Sequence, residues 1–397
     1  MTNAALRGKP DAGNPHVRFD EGEVAPAATP RRGSLLYKHA RIFAVAIVAL
    51  ALATSAGART LTWDGTTAGS YAAGASLNSA DHWLENDEQA TTGPQPGDRL
   101  EITGSGNFYF AKESFDLGSA GLTIYHNRKI YVGTAFTGTG VLTFESTDVE
   151  RVFEGTAAST HSGGTVFKHG WTKFANGYNP LGTGSVTVYQ ASATRPRFEA
   201  AYATRTLAND FILVGNDKYK NWTVFNGQIG CVVSSITSDH DFTIQHTNRG
   251  MTVNDSISAP GKTVTFSVAN SANAYTDNTK VNGAIDANVV VTAYSAASSW
   301  SIVTFSGVST VATNSLTVTS GTNVLASAAS WAGTNITVEA GATLSLKGSG
   351  NLSPSAHLAV AEGGTIEVAK DVTVQVAALT IGDKAFPVGR YTAATLP

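Results

Sequence analysis

The chain has 397 residues, of which only 14% are Asp, Glu, Lys or Arg, while glycine alone contributes 40; an average globular protein carries about 25% charged residues. A net charge of −3 leaves no basic stripe of the kind that neutralises phosphates, so nucleic acid is excluded as a partner. A single cysteine, Cys231, excludes an internal disulfide and a cysteine-based metal cluster.

Residues 1–37 are rich in Pro, Gly, Ala and charge without an apolar period, which predicts a disordered N-terminal extension. Residues 38–58 read as a signal peptide. Lys38, His39 and Arg41 form a positive flank, IFAVAIVALALAT (42–54) is an apolar run, and Ala56-Gly57-Ala58 offers a cleavage site. The run is shorter than the roughly 20 residues that cross a bilayer, so no membrane-spanning segment is expected after cleavage. Cleavage after Ala58 would remove seven Lys or Arg and four Asp or Glu, leaving a segment, 59–397, with a net charge of −6.

From residue 59 onward the text alternates apolar with polar or small residues, the period of a half-buried strand. GNFYFAK (106–112) sets three aromatics in a row, so Tyr109 must point away from Phe108 and Phe110. Further strands are read at GTGVLTF (138–144), GTGSVTVY (182–189), KTVTFSV (262–268) and ANVVVTA (287–293), with uneven spacing over 216–294. Cys231, in IGCVVSSI, reads as a small buried apolar residue.

Near the end one phrase is written twice. TVEAGATLSL (337–346) and AVAEGGTIEV (359–368) align with Val338 on Val360, Gly341 on Gly363, Leu344 on Ile366 and Leu346 on Val368, each 22 positions apart. A weaker copy, LTVTSGTNVL (316–325), precedes by 20 positions and sets Gly321 on Gly341 and Val324 on Leu344. A unit of strand, glycine bend and strand cannot bury its own apolar face and must be stacked on copies of itself. The fold class expected is therefore all-β, a parallel β-helix or β-solenoid of roughly 20–22-residue coils.

The stretch 161–189 contains Ser162-Gly163-Gly164-Thr165-Val166 and Asn179-Pro180-Leu181-Gly182-Thr183-Gly184, followed by Thr206-Leu207-Ala208-Asn209-Asp210. It resembles the passenger-associated β-strand repeat of bacterial autotransporters. LTWDG (61–65), HWLEND (82–87) and PGDRLEI (96–102) are similar to the opening of such passengers, and ALTIGDKAFPVGRYTAA (378–394) to their closing hairpin. The segment Lys168–Lys173 is more polar and aromatic than the family's strand at that place, and no series of membrane-barrel strands occurs within these 397 residues. The resemblance implies an exported bacterial protein, secreted or held at the outer cell surface, with a structural or adhesive role.

Chemistry is sparse. Asp239, Asp241 and His246 in SDHDFTIQH form the densest group, with both carboxylates expected on one strand face, but a hard cation needs roughly six to eight oxygen ligands. The chain has no G-x-S-x-G elbow, no H-E-x-x-H, no Walker loop and no dinucleotide-binding glycine fingerprint. Neither a catalytic site, a cofactor nor a metal is expected. The alternative is a β-helix enzyme that degrades polysaccharide, which needs Asp, Lys and Arg clustered in a groove. For binding, Tyr109 and Trp171 are the candidate ligand-contacting residues, with surface glycans or cell-surface proteins as partners; Tyr178 and Trp222 read as packing residues.

Overall fold

The computed structural model describes residues 58–397 except 67–69, 71–73, 176–177, 195, 201–204, 220–221, 228–230, 247–249, 269–278, 294–300, 393 and 395–397. The segments expected as a disordered extension and a signal peptide lie, up to residue 57, outside the described residues.

The described residues form strands, bends and turns with no helix. Parallel coils of about 22 residues are stacked in about 11 turns, a β-solenoid. At the usual spacing of neighbouring strands, about 4.8 Å, the stack is roughly 50 Å long. Each turn visits three faces. The first runs from Arg99–Ile102 through Leu122–His126 and Leu142–Ser146 onward. The second begins at Phe108–Phe110 and ends at Ala378–Ile381. The third includes an eight-stranded ladder from Arg205–Thr206 to Thr365–Val368.

Alternation within each strand sends one set of side chains inward, and the register stacks them into columns. On the second face Phe108 lies over Ile130, and the column continues through Arg151, Thr172, Phe198, Phe225, Ile244, Phe266, Val291, Val318, Val338, Val360 and Ile381. The repeated phrase supplies two successive rungs of this column with its first half and two of the third face with its second. Val338 pairs with Val360, Leu344 with Ile366 and Leu346 with Val368, the 22-residue alignment read from the sequence. Gly321, Gly341 and Gly363 have φ of +73°, +75° and +81°, a left-handed bend that glycine adopts without strain from a Cβ atom.

The 20-residue copy holds only before its bend. Leu316 pairs with Ile336 and Val318 with Val338, but after the bend Gly321 pairs with Ala342, Asn323 with Leu344 and Val324 with Ser345. The earlier bend is one residue shorter, and a shift of one residue exchanges the two faces of a strand. Asn323 consequently points inward with no exposure, its Nδ2 donating to the Val303 carbonyl at 3.1 Å, while Val324 faces out.

The Asn-x-Leu-Gly-x-Gly bend is held by two asparagines. Asn179 Oδ1 accepts from the Leu181 N–H at 3.0 Å, and its Nδ2 donates to Asn209 Oδ1 at 3.0 Å and to the Gly182 carbonyl. Asn209, one coil later, donates to the Gly182 and Gly184 carbonyls. Buried backbone carbonyls thereby gain donors across the rung.

At the N-terminal end a hairpin of Trp83–Glu85 and Glu88–Gln89, turned by Asn86 and Asp87 with φ of +54° and +66°, follows the strand Thr60–Trp63. Positive φ at both central residues is the mirror-image turn that suits the strand twist. Trp63 meets Trp83 and Phe108 edge-to-face at 5.2 and 5.1 Å. At the other end Lys384–Phe386 folds back on Ala378–Ile381, as the closing hairpin required.

Candidate functional site

Tyr109 and Trp171 both lie on the outward side of the second face. The register runs from Tyr109 to Tyr131, Val152 and Lys173, and Trp171 is two residues before Lys173 on the same strand. The two candidates are thus three rungs apart, roughly 14 Å. As expected, Phe108 and Phe110 point inward with no exposure and Tyr109 points out.

The Tyr109 ring stacks on Tyr131 at 4.3 Å and 4°. On its other side Gly74, which carries no side chain, lies against the Tyr109 carbonyl. Burial first, then Tyr131, raises the Tyr109 pKa. Below the pair a row of charges alternates in sign: Lys129 Nζ reaches Glu150 at 2.6 Å, and Lys173 Nζ reaches the same carboxylate at 3.1 Å. Burial would raise the Glu150 pKa, but the two ammonium groups outweigh it and hold the carboxylate below its ordinary range. Arg197 lies over the Trp171 indole at 3.7 Å and Lys173 at 4.2 Å. One coil further, burial raises the Glu199 pKa against the pull of Lys173 and Arg197.

These contacts give the face its chemistry. Stacked phenols and a cation-covered indole present flat, polarisable surface beside hydrogen-bonding groups held in place by ion pairs. A parallel arrangement occupies the first face, where Arg99 and Lys168 both bind Glu145 and Arg99 lies 5.2 Å over Tyr125. Tyr178 is 52% exposed and borders a depression of about 10 Å³ with Pro180 and Phe153, room for one water at most. Trp222 is fully buried, its Nε1 donating to the Pro196 carbonyl.

Asp239 and Asp241 do not share a strand face. They flank His240 in the corner between Ser235–Ser238 and Phe242–His246. Asp239 Oδ1 accepts from the Gly215 N–H, Asp241 Oδ1 accepts from the Thr263 N–H, and His246 turns inward. The corner exists because a coil must change direction there, a fact that strand alternation does not carry. Among the described residues no group of three or more His, Cys, Asp or Glu side chains could hold a metal ion. Cys231 is buried, and burial pushes its thiol up to about 12.

The least expected polar group is inside. Arg151 takes its place in the inward column fully buried, between the Phe144 and Phe167 rings at 5.5 and 4.9 Å. Its Nε–H donates to His126 Nε2, Nη1 to Thr172 Oγ1, and Nη2 to Ser146 Oγ and the His169 carbonyl. His126 Nδ1–H donates to the Arg128 carbonyl, which fixes the neutral tautomer that can accept from arginine. Burial, and then Arg151, lowers the His126 pKa to about 3, and burial lowers that of Arg151 to about 9. The sequence held a signal for this group: Arg151 keeps the same period-two phase as Phe153.

No protein-family model, curated protein or solved structure matches this chain. Among the described residues no helix is long and apolar enough to cross a membrane.

Proposed function

We propose that the chain is an exported, non-enzymatic β-solenoid of the autotransporter-passenger kind, acting as a cell-surface or extracellular structural and adhesion module. The observation that carries this reading is the continuous inward column from Phe108 to Ile381, which supports a stiff rod that carries its aromatic and ion-paired side chains on the outside. Close-packed interiors resist bending, and a solenoid offers long, flat faces for binding. The aromatic and ion-paired face around Tyr109 and Trp171 is the proposed contact surface, with surface glycans or cell-surface proteins as its partner class.

The test is glycan-array binding by the full chain and by Tyr109→Ala and Trp171→Ala variants. Saturable binding that falls in either variant supports the reading. Binding that is unchanged in both removes the face from it. Release of reducing ends from polysaccharide by the purified chain would replace the adhesive reading with the enzymatic one.

A further inference from the structure

The third face ends on an open rung. Its last strand, Thr365–Val368, pairs in parallel with Ala342–Leu346, and no strand among the described residues pairs with its other side. The other two faces end differently. Lys384–Phe386 covers Ala378–Ile381, and Gly389–Tyr391 covers Val374–Val376, both antiparallel. At the N-terminal end the third face is sealed as well: Glu113 accepts from the Leu77 N–H and the Ser76 hydroxyl, and Asn78 Nδ2 donates to the Ser114 carbonyl.

Burial falls at this strand. Leu344 and Leu346 have no exposure, whereas their partners Ile366 and Val368 are only half-buried, beside the equally half-buried Ile381, Phe386 and Tyr391. The Ala369 N–H donates to the Leu346 carbonyl. In a parallel ladder that phase turns the N–H and C=O of Val368, and by alternation those of Ile366, away from the stack. Between them Glu367 projects outward, exposed, with one oxygen accepting from Ser345 Oγ at 3.0 Å.

We propose that this rung binds an extended strand of another polypeptide whose pattern is apolar, basic, apolar. Its two apolar residues would continue the Ile366 and Val368 columns, its backbone would satisfy the outward N–H and C=O groups, and its basic residue would sit over Glu367. Charge selects this occupant over a second copy of the chain. The symmetric pairing in which Ile366 faces Val368 of a copy sets Glu367 directly opposite Glu367, and like charges opposite one another weaken a strand pair.

The experiment titrates the full chain into a fluorescein-labelled peptide, Thr-Val-Lys-Val-Thr, and reads anisotropy. Saturable binding is expected, with a Glu-centred peptide about tenfold weaker, about 1.4 kcal/mol, since the swap exchanges an attraction of up to about 1 kcal/mol for a repulsion of similar size. Glu367→Lys should reverse that preference. A peptide N-methylated on its bonding edge should not bind, a control that leaves the protein unaltered. The proposal is overturned by no saturable binding, by equal binding of Lys- and Glu-centred peptides, by binding of the N-methylated peptide, or by a wild-type chain that sediments as a dimer which Val368→Pro, lacking the outward N–H, dissolves.

Discussion

Phe198 sits where the interior is most aromatic. Its ring meets Phe167 at 5.3 Å, Phe174 at 6.1 Å, Phe211 at 5.4 Å and Phe225 at 5.9 Å, and it is 1% exposed. Phe198→Ala removes all four contacts and leaves a cavity, a change that costs about 3–5 kcal/mol in well-packed cores. Four ring partners on neighbouring strands that cannot close independently place this site at the upper end, about 5 kcal/mol. In a stack where each coil touches only its neighbours, that loss should stay local. Amide hydrogen exchange reads it directly: 5 kcal/mol is about 3.5 factors of ten in opening equilibrium, at about 1.4 kcal/mol per factor. Amides of Trp171–Phe174, Arg197–Ala200 and Asp210–Val214 should exchange about three-thousandfold faster, and those of Ala342–Leu346 should be unchanged. An equal acceleration in all coils, or none near residue 198, would refute the reasoning.

Glycines separate two costs. A Cβ at Gly283 would lie 1.0 Å from the Asp255 carbonyl oxygen, so Gly283→Ala must push backbone apart and should cost about 3 kcal/mol. Gly341→Ala meets no heavy atom and should cost only the left-handed φ, about 1–2 kcal/mol; urea midpoints rank the two, and the reverse order would contradict the close approach of these coils. Burial lowers His161 and His246 to about 4, so their contribution is complete above about pH 6.5 and is lost as pH falls toward 4, of the order of 3 kcal/mol each. Circular dichroism should show acid unfolding in that window, with its midpoint moved to lower pH by His246→Phe; an unmoved midpoint would count against burial of a neutral imidazole. His240 behaves oppositely. Burial lowers its pKa, but hydrogen bonds to Asp239 at 2.8 Å and Asp217 at 2.9 Å outweigh it and raise the value. Its stabilisation is therefore present below about pH 6.5 and lost as pH rises through the folded pKa; with Asp217 fully exposed it is under about 1 kcal/mol. Proton-coupled chemical shifts should place the His240 pKa above 6.5 and Asp217→Asn should lower it; a wild-type value below 6.5 would contradict the geometry.

Most of the architecture was legible because a solenoid writes its register into its text. Val338 and Val360 occupy equivalent places in one column, so their spacing is the coil length. The shorter bend before Asn323 was not legible, since alternation gives the phase of each strand and not the number of residues spent turning between strands. The corner at Asp239 and Asp241 was missed for the same reason. Arg151 was missed differently: a charged residue at an inward position conflicts with composition rules, and only the neutral acceptors gathered from three coils, with two flanking rings, make the burial tolerable. For the candidate face, the outward direction of Tyr109 followed from strand geometry, while its stack on Tyr131 and the Arg197 cover on Trp171 depend on rungs 22 and 26 residues away.

The central claim is that residues one coil apart lie side by side. Thr337 and Ala359 are outward neighbours on adjacent rungs, and Thr380 is one rung further. Adjacent rungs are about 4.8 Å apart, inside the roughly 4.4–6.8 Å between Cα atoms that a disulfide spans, and alternate rungs are about 9.6 Å apart, outside it. Mild oxidation should therefore cross-link the Thr337→Cys, Ala359→Cys variant and leave Thr337→Cys, Thr380→Cys reduced, as read by intact mass after alkylation. Failure of the first pair, or cross-linking of the second in its place, would contradict the stacked-coil register.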